Sequence, residues 1–354
     1  MTYPQHTNGA IELLKTLIQT PSFSGEEDDV AELVTRYLHS HGVKTQRYLH
    51  NVWAVNAHFD AAKPTVLLNS HLDTVRPNSG YTRNPFEPAV EGDRLYGLGS
   101  NDAGASLVSL AATFIHFYSK PNMKYNIVFA ATAEEENSGR NGLECVLPLL
   151  PPVSFAIVGE PTQMQLAIAE KGLMVLDCVA HGKSGHAARN EGINAITRAL
   201  EDIQWINNYH FSKTSAYLGD VKMSVTMVNA GTQHNVIPDR CSFVVDVRLT
   251  DTYTLEEVLA TIKANVGSTV SARSLRLKPS KIDTMHPIVQ AGLELGRTTY
   301  GSPTTSDQAL IDSPSLKLGP GDSARSHTAD EFVHLSEIRE GITLYIEMLE
   351  KVIA

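Results

Sequence analysis

Cysteine is scarce: Cys145, Cys178 and Cys241 are the only three in 354 residues, odd in number and widely spaced. No CxxC pair offers a structural zinc site, and no regular framework suggests a disulfide-stapled secreted scaffold, so buried reduced thiols are expected. Basic residues are also in deficit. Lysine and arginine number 29 against 39 aspartate and glutamate, a formal net charge of -10. That balance argues against nucleic acid or an anionic membrane as a partner. It leaves the substrate open, because a pocket can differ in sign from the whole surface. Long apolar runs are missing as well. The most apolar stretch, residues 146–158, is interrupted by Pro148, Pro151 and Pro152 and is too short to span a bilayer. The opening MTYPQHTNGAIELLKTL lacks a basic segment followed by an apolar core, so no secretory leader and a cytoplasmic location are expected. Internal repeats and low-complexity tracts are absent.

What is present is the profile of a folded protein, 42% hydrophobic and 19% charged, in a chain long enough for two domains. Residues 9–41 read as two helices around a break at Pro21, Ser22, Ser24 and Gly25. Ser24 with Glu27 three residues on reads as a capping box for the second helix. Short apolar runs at residues 66–68, 127–130 and 155–158 read as buried strands, and the spacing of Leu107, Leu110, Ala111, Phe114 and Phe117 as a helix between the first two. Strands alternating with helices predict an α/β layer with a mostly parallel sheet. The pattern then changes. Residues 173–181, 221–228, 241–249 and 272–278 are strand-like and 193–208 and 254–266 helical, the β-α-β-β-α-β order of a compact α+β domain of about 100 residues. The expected organisation is therefore a first domain, residues 1–172 and 281–354, with a second, residues 173–280, inserted into it.

Five groups of acidic or histidine residues lie just after apolar strands or in glycine-rich turns, where α/β sheets collect ligands and catalytic groups. They are Ser70-His71-Leu72-Asp73, the run from Gly97 to Gly104 containing Asp102, the triplet Glu134-Glu135-Glu136, Gly159-Glu160-Pro161-Thr162, and Ser326-His327-Thr328 after a glycine-rich segment. Singly each has a plain reading. HxD is a common coincidence, Asp102 suits a helix N-cap, and a charge run is usually a solvated loop. But adjacent carboxylates at a buried strand end repel one another unless a cation is present. Two histidines with several carboxylates form a mixed N/O donor set suited to zinc, cobalt or manganese, and leave Glu134 over as a general base.

The ordered motifs SHLDTV, GSNDAG, AEEE, GEPT, GKSGHAA, NVIPD with DVR, and SHT resemble the zinc aminoacylase, carboxypeptidase and deacylase superfamily nearly end to end. That resemblance implies two divalent metal ions, zinc or else cobalt. His71, Asp102 and Glu160 would hold one, and Asp102, Glu135 and His327 the other, with Asp102 bridging. Asp73 would orient His71 and Glu134 would be the base. The peptide from Asp102 to Ala103 would be cis. The first domain would be the catalytic one. The inserted ferredoxin-like domain would be a lid through which a homodimer forms, its His186 stabilising an oxyanion and its Asn235 and Arg248 contacting substrate. Many relatives carry lysine two residues after the bridging aspartate. Gly104 stands there in this chain, which leaves the ligands intact but changes the local loop.

Within the superfamily, the compact length, the GPGDS segment before SHT and the HLDTV form are most similar to acetylornithine deacetylase and its relatives. This implies removal of an acyl group from a small N-acyl amino acid, N-acetylornithine or an acetyl- or succinyl-citrulline, in arginine biosynthesis. The alternatives are a metallo-dipeptidase or carboxypeptidase, and a non-catalytic protein that binds acyl amino acids.

Overall fold

The computed structural model describes residues 4–354; residues 1–3, where the segment read for a leader begins, lie outside them. The chain divides into two compact units. The first comprises Met1–Ile168, Lys281–Tyr300 and Ser306–Ala354, and the second Ala169–Ser280 with Gly301–Thr305. The crossing thus falls at Ala169 rather than residue 173, and the short return at Gly301–Thr305 carries no composition change that a sequence reading could detect.

In chain order the first unit supplies α1 (Pro4–Ile18), α2 (Asp28–Ser40), β1 (Asn51–Val55), β2 (Thr65–His71), α3 (Ala105–Tyr118), β3 (Asn126–Thr132) and β4 (Val153–Val158). The second supplies β5 (Gly172–His181), α4 (Ala195–Asn208), β6 (Lys222–Ala230), β7 (Arg240–Leu249), α5 (Leu255–Asn265) and β8 (Thr269–Ala272). The chain returns to the first unit for β9 (Ser315–Lys317) and α6 (Leu335–Ile353).

The centre of the first unit is a sheet in the order β1-β3-β2-β4-β9. β2 pairs in parallel with both β3 and β4, β4 pairs in parallel with β9, and β1 joins β3 antiparallel. β2 and β3 are buried at every position, which is why both read as unbroken apolar runs rather than alternating ones. α3 is buried along most of its length. Its hydroxyls are satisfied within the helix, Ser109 donating to the Ala105 carbonyl at 2.7 Å and Thr113 to that of Ser109 at 2.8 Å. The chain leaves β2 for β3 on one side and then crosses to β4 on the other. That reversal opens a crevice at the carboxyl ends of the strands, and His71 is the last residue of β2. Among the described residues no helix is long and apolar enough to cross a membrane.

The capping box expected for α2 does not form. The helix starts at Asp28, and its N-cap Glu27 makes no capping bond. Ser24 instead donates to the Asp73 carboxylate at 2.7 Å, and Glu27 is fully buried with its carboxylate on other loops.

The second unit is an antiparallel sheet in the order β6-β7-β5-β8, with α4 and α5 between its strands in the chain. Burial alternates residue by residue in β5 and β7, so one face of the sheet is packed and the other is not. Met174, Leu176, Phe243, Val245 and Val247 meet Ala195, Ala199, Val258 and Ile262 in its core. Cys178 and Cys241 are buried there as free thiols, and Cys145 of the first unit is free and half-buried. Local signals agree with the packing. Asn194 caps α4 by accepting from the Ile196 N–H, and Thr254 with Glu257 forms a capping box on α5. The last strand ends at Ala272, and within residues 273–278, read as extended, Leu277 still forms an antiparallel bridge with Leu173.

Candidate metal centre

Five segments bring the acidic and histidine groups together. β2 ends in His71, the turn after β3 carries Glu134 to Glu136, the loop after β4 carries Glu160, and the segment beyond β9 carries His327. Asp102 sits just before α3, and its peptide bond to Ala103 is cis. The two oxygens of Asp102 face different histidines. Oδ1 is 3.4 Å from His71 Nε2, and Oδ2 is 3.7 Å from His327 Nε2. Each histidine has a further carboxylate of its own: Glu160 Oε1 lies 3.9 Å from His71 Nε2, and Glu136 Oε2 lies 3.0 Å from His327 Nε2.

The structure therefore brings His71, Asp102, Glu160 and His327 together, and it corrects the register of the glutamate run. Glu136, not Glu135, faces His327. Glu134, read as the surplus base, turns away. Its backbone is left-handed at φ 55°, and its carboxylate accepts from the Asn141 N–H at 3.1 Å and from Asn141 Nδ2 at 2.8 Å. A Cβ on Gly139 would fall 1.9 Å from Glu134 Oε2, so only glycine permits that packing. Glu135 is left inside the cluster, its oxygen grouped with ligand atoms of His71 and Glu160 within 4.8 Å.

The turn is held by buried carboxylates below it. Glu27 accepts from the Glu134 N–H at 3.1 Å, while its other oxygen meets His50 Nδ1 at 2.7 Å. Asp73 accepts from the Glu135 and Glu136 N–H groups at 3.0 and 3.1 Å. Asp73 also meets His71. His71 Nδ1 lies 2.8 Å from the Asp73 backbone carbonyl and 3.5 Å from its carboxylate. Main chain and carboxylate thus both face the ring, and the carboxylate positions the glutamates as well. Glu136 escaped the sequence reading because nothing in AEEE fixes which glutamate points inward, and Glu27 because it matched a local capping rule.

Charge is strongly unbalanced here. Burial would push the His71 imidazole down, but the Asp102 and Asp73 carboxylates and the charges of Glu135 and Glu160 outweigh it and hold the ring well above its ordinary range. Burial, reinforced by the charge of Glu160, raises Glu135 well above the carboxylate range. Burial likewise pushes Glu160 up to about 8, against the pull of His71. The Glu136 contact raises His327 to about 9. Burial also lifts Asp307, which accepts from Thr132 at 2.8 Å, to about 6.

These residues fit divalent ions. His71 Nε2 and Glu160 Oε1 are buried without any hydrogen-bond partner, a state proteins rarely leave uncompensated. His71, Asp102 and Glu136 also gather ligand atoms within 4.8 Å, as do His71, Glu135 and Glu160. A cation would relieve both the orphaned atoms and the carboxylate repulsion. It must then displace protons, because burial pushes Glu160 up to about 8 and raises Glu135 well above the carboxylate range. Calorimetric titration of chelator-treated protein with zinc at pH 7, in buffers of different ionisation enthalpy, is expected to show proton release. Affinity should fall as pH drops below about 8, roughly tenfold per unit for each proton displaced. Binding that releases no proton would contradict this charge arrangement.

The other expected contacts lie in the second unit. His186 is exposed in a short ladder opposite Val236, and its Nδ1 accepts from the Ala188 N–H at 3.1 Å. The Asn235 carbonyl accepts from the Ala187 N–H at 3.0 Å. Arg248 is already engaged. Its Nε and Nη2 donate to the two oxygens of Asp246 at 2.8 and 3.1 Å, and Nη1 donates to Thr305 at 3.2 Å. A substrate carboxylate would have to compete with that fork.

Comparison with known proteins matches residues 67–351 to the model of peptidase family M20/M25/M40. A probable carboxypeptidase of Ajellomyces dermatitidis is 26% identical, covering 96% of this chain and 86% of its own length. A LysW-lysine/LysW-ornithine hydrolase of Sulfurisphaera tokodaii is also 26% identical, over 96% of this chain and 94% of its own. Among solved structures, the aminopeptidase PepT of Bacillus cereus superposes with a TM-score of 0.79 over 98% of each chain at 18% identity.

Proposed function

The chain belongs to peptidase family M20/M25/M40, and from that premise we propose that it is a metal-dependent hydrolase that removes the acyl group from a small N-acyl amino acid. The observation that carries the reading is Asp102, whose two oxygens face His71 and His327, each with its own further carboxylate. His71, Asp102 and Glu160 would hold one divalent ion, and Asp102, Glu136 and His327 a second. Zinc or cobalt suits this mixed N/O set. When bound, such ions lower the pKa of water and polarise an acyl carbonyl.

The chain's own part is proton transfer and orientation. Glu135, left over among the ligand groups, takes up the proton of the attacking water at its carboxylate and returns it to the leaving amine nitrogen. Asp73 and Glu27 hold the turn that presents it. From the second unit, His186 is assigned to oxyanion stabilisation and Asn235 and Arg248 to substrate contact, as the motif resemblance implies.

For the substrate we favour N-acetylornithine or an acyl-citrulline, in the cytoplasm and in arginine biosynthesis. The motif likeness supports this, and so does a relative named for hydrolysis at lysine and ornithine. A metallo-carboxypeptidase or dipeptidase is the second reading, favoured by the relative named a probable carboxypeptidase. The deciding assay is amine release from N-acetyl and N-succinyl amino acids and from dipeptides, by chelator-treated protein with and without added zinc or cobalt. Metal-dependent turnover of acetylornithine with dipeptides untouched supports the first reading, and the reverse supports the second.

A homodimer through the second unit is part of the proposal. β6 lies at the edge of its sheet with Met227 64% and Val228 58% exposed, an unpaired apolar edge of the kind that templates pairing. Sedimentation is expected to give a dimer for the parent and a monomer for Val228→Lys. A parent that sediments as a monomer removes the dimer from the reading.

A further inference from the structure

Glu331 belongs to neither ligand set, yet it gathers the loop that carries Asp102. Its side chain is buried, the residue 2% exposed. Oε2 accepts from the Gly99 N–H at 3.0 Å, and Oε1 accepts from the Asn101 and Asp102 N–H groups at 2.8 and 2.9 Å. Its backbone carbonyl accepts from the Gly97 N–H at 3.0 Å. One residue thus receives four N–H groups of residues 97–102. The neighbouring backbone is fixed too. Phe332 to His334 pair antiparallel with Arg94 to Tyr96, the strand that leads directly into the loop. Glu331 also lies four residues beyond His327, so a single short segment carries that histidine and anchors Asp102.

We propose that Glu331 is a positioning residue that sets the loop of residues 97–102, and with it both oxygens of Asp102, before any metal ion arrives. Three main-chain donors converge on one buried carboxylate, which has little solvent to share them with. The loop is therefore ordered by the protein and not by its ligand. Divalent ions meet a preset bridge, and the spacing between Asp102 and His327 follows from one anchor. The inference rests on the metal-hydrolase reading only in naming Asp102 as a ligand. Its readouts are metal affinity and amide exchange, so a failure to find any substrate would leave it standing.

The test uses the full chain, stripped by chelator and titrated with cobalt. Glu331→Gln keeps an oxygen for Asn101 and Asp102 but sets an amide NH2 against the Gly99 N–H. Cobalt affinity is expected to weaken at least tenfold, alongside a fall in the thermal midpoint of the metal-free variant from the unpaired Gly99 N–H. A merely structural tie would lower the midpoint and leave affinity unchanged, and that result would overturn the proposal. Hydrogen exchange on the metal-free parent needs no variant. Slow exchange at Gly99, Asn101 and Asp102 is expected, whereas exchange that becomes slow only after cobalt is added would also overturn it.

Discussion

Glu135→Gln is expected to lower kcat by about 10²–10⁴-fold while leaving bound metal in place, and Glu134→Gln to cost far less. The contrast rests on three adjacent glutamates with three different surroundings. Glu134 is occupied on both oxygens by Asn141 and packs against Gly139. Glu136 lies 3.0 Å from the His327 ring. Glu135 alone stands beside the ligand atoms of His71 and Glu160 without belonging to either proposed ligand set. An amide in its place retains size and hydrogen bonding but can no longer accept and return a proton. Glu136→Gln should behave differently again, losing metal at the His327 side. The three variants can be compared by kinetics and metal analysis on the same preparations. An active Glu135→Gln beside a dead, fully metallated Glu134→Gln would restore the register read from sequence and refute this one.

That register shows where sequence stops being sufficient. The strands were legible because burial on both faces forces continuous apolar runs, and the strand ends then pointed to His71 and Glu160. Asp102 and His327 were legible from glycine-rich turns. What AEEE could not reveal is the left-handed backbone at Glu134, which rotates the following carboxylates by one position. That conformation is stabilised by Glu27 and Asp73, far away in the chain. Ser24 and Glu27 matched a local capping rule, but tertiary partners took both side chains. Glu331 offered no local signal at all, since its role is to accept from a loop more than two hundred residues earlier. Arg248 is the opposite case. Strand periodicity puts Asp246 and Arg248 on one face, so their pairing was readable from the sequence DVR.

Asp102 makes the sharpest test of a shared ligand. If its two oxygens serve two ions, the consequences of substitution are not additive. His71→Ala or His327→Ala should each remove one ion per chain, since the other set of three donors survives. Asp102→Ala should remove both, leaving only a histidine and a single carboxylate on each side. Turnover should then fall by about 10³-fold or more, because Lewis-acid stabilisation worth several kcal/mol is lost at once. Equilibrium dialysis followed by elemental analysis gives the stoichiometry directly, without any knowledge of substrate. One ion retained in Asp102→Ala would mean that the aspartate serves a single site, and that the second set of donors around Glu136 and His327 holds its ion unaided.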